Sequence, residues 1–372
     1  MKVLSIVYDL MRGGTEGQCA RAAMACAKLG FSQQVAVFQT SGYFLKDVEA
    51  VCGPVYEIRI RRMLSVQTFR EIRRLKRHIQ SECIDLVHTW DMDAGIFGSL
   101  AARMAGVPYI TSRRNLAETM PRYKRILLKL ADHFAAAVLV NAEAVRSHFV
   151  ERGLDPSKVR VIPNMLDLDE FDRQASQATS LPSGRLIGTV CRLEPEKCVH
   201  TLLEAAPRLL GDFNDLKFII VGEGSERRRL QALASELQID HAVYFTGERT
   251  DTPALIRQFQ IGVLTPSKNE GLSNSILEYM AAGIPAVATD CGGNRELIES
   301  AGAGLIVPRD DGCAFAEALA TLLKDPVEAA EMGKRGRAGV LARYGVDTAM
   351  QQITSLYRDV AQKKRQAYEN IQ

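Results

Sequence analysis

The sequence has no long apolar run, no paired-cysteine spacing and no strong net charge, and each absence excludes a class of protein. Its first apolar stretch, residues 3–8 behind Met1 and Lys2, is too short for a secretory signal core or a membrane span. A cytoplasmic location is therefore expected. The eight cysteines (Cys19, Cys26, Cys52, Cys83, Cys191, Cys198, Cys291 and Cys313) never fall in a CxxC pattern. Most sit within apolar stretches, where a reduced thiol packs as a small hydrophobe, so neither a disulfide framework nor a zinc site is expected. With 47% hydrophobic and 24% charged residues, the chain is neither disordered nor fibrous by composition.

At 372 residues the chain exceeds one ordinary domain and suits two, of roughly 150 to 190 residues each. The net charge of +3 hides an asymmetry, because residues 1–170 hold 24 Lys and Arg against 18 Asp and Glu. The excess concentrates at 59–77 (Arg59, Arg61, Arg62, Arg70, Arg73, Arg74, Lys76 and Arg77) and again at 113–129. Such patches suit an anionic membrane surface or an anionic lipid carrier, with nucleic acid not expected as a partner. Two solvated helix faces would produce the same pattern.

Short runs rich in β-branched residues recur at 3–8, 34–38, 55–60, 84–88, 108–111, 136–140 and 159–162, each the pattern of a buried strand. Helical spacing fills the intervals 15–29, 67–80, 94–105 and 121–134. Strand and helix in alternation predict a parallel sheet wrapped by helices. From Ile162-Pro163-Asn164 through Ser183 the chain turns polar with little apolar periodicity, which places an interdomain linker there. Alternation restarts at 186–191 and continues through 217–221, 243–246, 262–264, 286–288 and 304–307, followed by a terminal helix near 349–367. The expected architecture is α/β, with two doubly wound units divided at 165/166 and ligands in a cleft beyond their strands' carboxyl ends.

Three stretches carry candidate chemistry. In 267–278 a polar loop with Glu270 enters a helix through Ser273, Asn274 and Ser275, with Glu278 one to two turns further on. Backbone N–H groups at such a helix start attract phosphate, and the two carboxylates suit sugar hydroxyls, although simple capping by Ser273 and Asn274 explains the same residues. In 188–197 a strand ends in Arg192 and Lys197, two cations able to favour a departing diphosphate. Surface pairing with Glu194 and Glu196 is the alternative there. In 11–16, Gly13-Gly14 follows the first strand, where the backbone could approach a bulky anion or simply turn. Gly222 and Gly224 form a similar, truncated phosphate-loop pattern.

In this order and in these domains, the three stretches resemble the retaining glycosyltransferases of family 4, over essentially the whole chain. The resemblance implies the GT-B fold and a nucleotide diphosphate sugar as donor. Glu270 and Glu278 match the family's signature pair, the first meeting the donor sugar and the second the ribose hydroxyls. Arg192 and Lys197 match its diphosphate-binding pair, and Gly14 its N-terminal glycine loop. It further implies that Gly271, Leu272, Ser273, Asn274 and Ser275 contact sugar and phosphate, that residues near Thr246-Gly247-Glu248 hold the nucleobase, and that the terminal helix, residues 346–372, returns to the first domain; Gly222 is a further donor-binding candidate. Two departures stand out. Arg114 occupies the place where many members carry a histidine, and an arginine can hold an anionic acceptor or the donor phosphate but cannot relay a proton, so Arg113 and Arg114 are both candidate acceptor or cleft contacts. Cys191 and Cys198 stand where glycines are usual.

His88, at a strand's carboxyl end, suits either a cleft contact or a satisfied structural histidine. Asp91-Met92-Asp93 spells a DxD, but a three-letter match does not outweigh two doubly wound units, and no metal is assigned. The expected activity is a metal-independent, retaining transfer of a hexosyl group, from UDP on family frequency, to a glycan or lipid-linked acceptor in polysaccharide or glycolipid biosynthesis. The donor is a substrate and no cofactor is expected. A peripheral contact with the inner face of an anionic membrane is a further expectation. A nucleotide-sugar 2-epimerase of the same architecture and a non-catalytic nucleotide-sugar-binding scaffold are the alternatives.

Overall fold

The computed structural model describes residues 1–60 and 65–369, so Arg61 and Arg62 of the first basic cluster lie outside the described residues. The chain divides into two compact units, one of Met1–Asn164 together with the segment from Val346, the other of Met165–Gly345. The division falls one residue from the expected boundary.

The first unit alternates β1 (Lys2–Val7), α1 (Gly14–Lys28), β2 (Ser32–Val37), α2 (Leu45–Cys52), β3 (Tyr56–Glu57), α3 (Val66–Ser81), β4 (Leu86–Thr89), α4 (Met92–Ala105), β5 (Tyr109–Arg113), α5 (Arg122–Phe134), β6 (Ala137–Val140), α6 (Glu143–Glu151) and β7 (Val159–Val161). Its seven strands, ordered β3-β2-β1-β4-β5-β6-β7, are all parallel. Helices cover both faces of the central strands, so side chains leaving either face are enclosed: Val3, Leu4, Ile6, Val7, Val87, Ile110 and Leu139 are fully buried, and so are the polar Ser5, His88 and Thr111. The strand expected over 55–60 shrinks to two residues, because β3 is an edge strand and pairs only with Ala36 and Val37.

The second unit contains α7 (Leu168–Ala175), β8 (Arg185–Val190), α8 (His200–Asp212), β9 (Leu216–Val221), α9 (Arg227–Glu236), β10 (Val243–Gly247), α10 (Thr252–Ile256), β11 (Ile261–Leu264), α11 (Asn274–Ala282), β12 (Ala286–Thr289), α12 (Asn294–Ala301), β13 (Gly304–Val307), α13 (Gly312–Lys324) and α14 (Pro326–Arg343). Six parallel strands run in the order β10-β9-β8-β11-β12-β13. The expected polar linker is corrected here, since α7 lies inside it. Asp167 caps that helix by accepting from the Glu170 N–H at 3.0 Å, and Asp169 and Glu170 sit in its first turn, where the helix dipole favours anions. Polar residues that suggested a loop therefore start a helix, which buries only Phe171 and Ala175.

After α14 the chain returns to the first unit as α15 (Val346–Glu369), the helix expected there. Its buried residues Ala349, Met350, Ile353, Leu356, Tyr357 and Val360 recur at helical spacing on one face, and the helix packs on α1. No helix among the described residues is long and apolar enough to cross a membrane.

Candidate active site

In each doubly wound sheet, ligands are expected where neighbouring strands send their connections to opposite sides. In the second unit that place lies between the carboxyl ends of β8 and β11. The connection leaving β8 makes a short turn at Pro195–Lys197 and passes through Cys198 in the left-handed region, at φ +46°. A glycine would suit that backbone better, which accounts for the departure at Cys198 as a conformational one. Thr265, just beyond β11, donates its hydroxyl to the carbonyls of Lys197 and Cys198, each at 3.0 Å, and the Ser267 N–H donates to the Glu196 carbonyl at 3.1 Å. The two connections are thereby fastened together. Their consequence is a short ion pair: Lys197 Nζ donates to Glu270 Oε2 at 2.6 Å, with the side chains 17% and 11% exposed. Burial opposes the charge on Lys197, but the adjoining Glu270 carboxylate outweighs it and raises the ammonium above its ordinary value.

The loop bearing Glu270 is held from its other side by the end of β12 and by the turns after β12 and β13. Thr289 donates its hydroxyl to the Pro266 carbonyl at 2.6 Å, Arg309 Nη1 donates to Ser267 O at 3.0 Å, and the Gly293 N–H donates to Gly271 O at 2.7 Å. Gly292 adopts φ +56°, and a Cβ there would lie 2.4 Å from the Glu270 carbonyl oxygen, so only glycine allows this approach. The loop then enters α11 with Gly271, Leu272 and Ser273 buried and Asn274 and Ser275 half-buried. Ser273 does cap the helix, accepting from the Ile276 N–H at 3.3 Å. The α11 side chains tie back to the same strand ends: Ser275 donates to Val190 O at 2.6 Å, while Tyr279 Oη accepts from the Val190 N–H at 2.9 Å and donates to Val263 O at 3.2 Å. Glu278 is half-buried in the second turn.

Gly222 follows β9 at φ +138°, and a Cβ would stand 1.9 Å from the Cys191 carbonyl oxygen. Its N–H donates to Gly247 O at 2.9 Å, which joins the ends of β9 and β10 beneath the exit from β8. Thr246 is half-buried and donates to the Ile220 and Gly247 carbonyls at 3.4 and 3.2 Å. Arg192 differs from the rest, with a side chain 71% exposed and an ion pair to Glu196 at 3.5 Å. One face of the second unit thus offers a fixed ammonium–carboxylate pair, a helix start and glycine turns, with a loosely held guanidinium beside them. Anionic groups and hydroxyls are what such a set can bind.

In the first unit the corresponding place lies between β1 and β4. Gly14 is the first residue of α1, directly after the N-cap Gly13 and at the end of the loop that leaves β1. His88 is wholly enclosed, with Nδ1 2.7 Å from Tyr357 Oη and Nε2 2.8 Å from Ser112 Oγ. Burial, with a smaller contribution from Arg114, pushes its pKa well below the ordinary range and keeps the ring neutral. One ring nitrogen thus ties α15 to the sheet and the other ties β4 to β5, a structural role. The reading of Arg113 as an acceptor contact is also corrected: its guanidinium is fully buried and paired with Asp132, which also accepts from the Thr111 hydroxyl at 2.8 Å. Asp91 caps α4, accepting from the N–H groups of Ala94 at 2.9 Å and Tyr8 at 2.5 Å, and Asp93 pairs with Lys124 at 2.7 Å. Both carboxylates of the DxD are thus engaged by the protein. Burial pushes the Asp91 carboxyl up to about 7, against the two N–H bonds and with help from Asp93 and Glu16.

Arg114 lies with its guanidinium 4.8 Å over the Trp90 ring and donates from Nη1 to Asn164 Oδ1 at 2.7 Å. Burial pushes it down to about 10, and the groups of Cys19 and Tyr357 only partly offset this. Its Nε, Trp90 Nε1 and Asn141 Oδ1 are buried without a hydrogen-bond partner among the described residues.

Two family models account for most of the chain: that of Glycosyltransferase Family 4 matches residues 12–170 and that of Glycosyl transferases group 1 matches residues 171–339. The chain belongs to the group 1 glycosyltransferases. Among this glycosyltransferase's relatives is the UDP-Gal:alpha-D-GlcNAc-diphosphoundecaprenol alpha-1,3-galactosyltransferase of Escherichia coli, 26% identical over 80% of this chain and 81% of that one. Another is the phosphatidyl-myo-inositol mannosyltransferase of Mycobacterium leprae, 28% identical over 77% of each chain. The Anabaena HepE structure in complex with UDP-glucose superposes with a TM-score of 0.84 at 22% identity, covering 96% of this chain and all of that one. That likeness shows the GT-B fold, two Rossmann-like domains with seven and six parallel strands.

Several residues of the site escaped sequence reasoning. Gly292-Gly293 repeats the strand-then-glycine-pair pattern of Gly13-Gly14 and was legible in principle. Thr265, Tyr279 and Arg309 carry no motif, because their roles come from where the sheet places their hydrogen bonds.

Proposed function

We propose that this glycosyltransferase transfers a hexosyl group with retention from a uridine diphosphate sugar to a glycan or lipid-linked acceptor, without a metal. The carrying observation is the buried Lys197–Glu270 pair at the switch point of the second unit. Lys197 and the exposed Arg192 side chain would bind the diphosphate, Glu270 a sugar hydroxyl and Glu278 the ribose. As the C1–O bond to the diphosphate breaks, negative charge grows on the leaving oxygen, and two cations there favour the transition state over the ground state. The acceptor oxygen forms its bond to C1 on the face the diphosphate leaves, and the acceptor proton passes to the departing phosphate oxygen. No enzymic nucleophile enters this scheme.

The acceptor class rests on relatives: the E. coli enzyme uses a diphosphoundecaprenol-linked sugar and the M. leprae enzyme a phosphatidylinositol. A GDP-mannose-dependent enzyme of Mycobacterium tuberculosis is also related, 26% identical over 82% of this chain, so the base is the first thing to test. Thermal stability with excess UDP, GDP or ADP, each with and without EDTA, is the test. A ligand at 100 times its Kd stabilises the native state by about 2.7 kcal/mol. We expect a UDP shift that EDTA leaves unchanged and Arg192→Ala removes. A shift with GDP alone would reassign the base, and an EDTA-sensitive shift would overturn metal independence. The anomeric configuration of the product, read by NMR, decides retention.

A further inference from the structure

α5 buries Leu128, Ala131 and Asp132 against the first unit but turns a second apolar stripe outward. Tyr123, Ile126, Leu130 and Phe134, spaced three and four residues apart, are 54%, 69%, 55% and 45% exposed. Arg122, Arg125 and Lys129 lie beside that stripe, also exposed. The face continues onto neighbouring helices. α4 packs against both α5 and α3 and exposes Leu100 and Met104 one turn apart, and α3 exposes Val66 and Phe69. Arg103 of α4 reaches over the Phe134 ring and Arg73 lies over that of Phe69, so cations rim the apolar groups.

Charge on these three helices is one-sided. They hold ten Lys and Arg against three carboxylates. Each carboxylate is already paired, Glu71 with Arg74, Asp93 with Lys124 and Asp132 with Arg113. Nothing acidic on them offsets the outward cations. An apolar stripe flanked by cations on an exposed helix suits the boundary between anionic headgroups and acyl chains. It does not suit a second copy of the chain, because a two-fold contact would set the same cations against one another. The Lys124–Asp93 pair also joins the first turn of α4 to the start of the stripe, at the sheet edge that carries Trp90 and Arg114.

We propose that the outward face of α3, α4 and α5 docks this protein on an anionic lipid surface, with Tyr123, Ile126, Leu130 and Phe134 entering the headgroup boundary. The inference deepens the lipid-linked reading of the acceptor, yet vesicle binding requires neither donor nor turnover, so the two can fail separately. Vesicle flotation is the test, with phosphatidylglycerol-containing and pure phosphatidylcholine vesicles. Wild type should float with the former and be released between about 0.1 and about 1 M salt, as the Debye length falls from about 10 to about 3 Å. Ile126→Gln/Leu130→Gln should bind phosphatidylglycerol vesicles on the order of tenfold more weakly or worse. Arg122→Gln/Arg125→Gln should lose affinity by a similar factor and bind both vesicle types alike. Since all four side chains are exposed, Tm and the UDP-induced shift should match wild type. Wild type that stays unbound, or an apolar double variant that floats as well as wild type, would overturn the docking face. So would wild-type dimers that the apolar variant converts to monomers by analytical ultracentrifugation.

Discussion

At the scale of single residues, the site turns on buried charge that is stable only in company. Lys197 and Glu270 each have one strong partner, and removing either leaves the other charge in a poorly solvated place. Lys197→Met is expected to cost about 3 kcal/mol of stability and to abolish the donor-induced shift in Tm. Lys197→Met/Glu270→Leu should recover much of that stability without recovering the shift. Urea denaturation of the single and double variants measures the first effect and thermal shift the second; equal loss in both variants would show that the pair is not coupled. His88 gives a pH prediction. Its folded pKa is depressed by burial, so the unfolded chain binds its proton first. The stabilising contribution is complete above about 6.5, the ordinary histidine value, and declines as pH falls below it, by up to about 1.4 kcal/mol per unit. Asp91, whose pKa is raised, slopes the other way, since its contribution is lost as pH rises through about 7. The slopes are separated by comparing wild type with His88→Gln between about pH 5 and 6.5, where the variant should show the shallower loss on acidification.

At the scale of elements, the turns between strands and helices do more for the site than the helices themselves. The Glu270 loop is gripped by the connection after β8 on one side and by the turn after β12 on the other. Gly292→Ala should cost about 2 kcal/mol or more, from a Cβ at positive φ and its overlap with the Glu270 carbonyl, and weaken donor binding with it. Gly312→Ala is the matched control, because a Cβ there meets nothing within 4 Å, and should be near neutral. Unfolding midpoints in urea check both. Helix α7 carries a lesson of the same kind. Asp167 and Glu170 resembled linker residues because an eight-residue helix with two buried side chains leaves almost no periodicity, and the capping geometry that identifies it is local.

At the scale of the whole molecule, the chain's order and its domains part company. α15 comes after the second unit in sequence and belongs to the first, burying an apolar face there and placing Tyr357 against His88. Ending the chain at Gly345 should therefore destabilise the first unit, although the deletion removes nothing from that unit's sheet. Calorimetry should show the first unit's transition lowered or lost while the second unit's transition keeps its response to nucleotide. A single unaltered transition would show that the helix contributes little.

Much of this was legible in the sequence. Strand and helix alternate with their own periods, so two parallel α/β units and the break near residue 165 follow from local pattern alone. Glu270, Glu278, Arg192, Lys197 and the glycine turns could be singled out because polar residues and glycines at strand ends have few structural reasons to cluster. What local pattern cannot hold is partnership across distance. That Lys197 meets Glu270 seventy-three residues away, that Arg113 is spent on Asp132 while Arg114 lies over Trp90, and that His88 is consumed by Tyr357 two hundred and sixty-nine residues on depend on strand order and on which face each side chain leaves. The outward stripe of α5 belongs with them. In sequence its leucines and isoleucine look like any helix's core side, and only the packing of Leu128 and Ala131 decides which apolar face is buried and which is left in water.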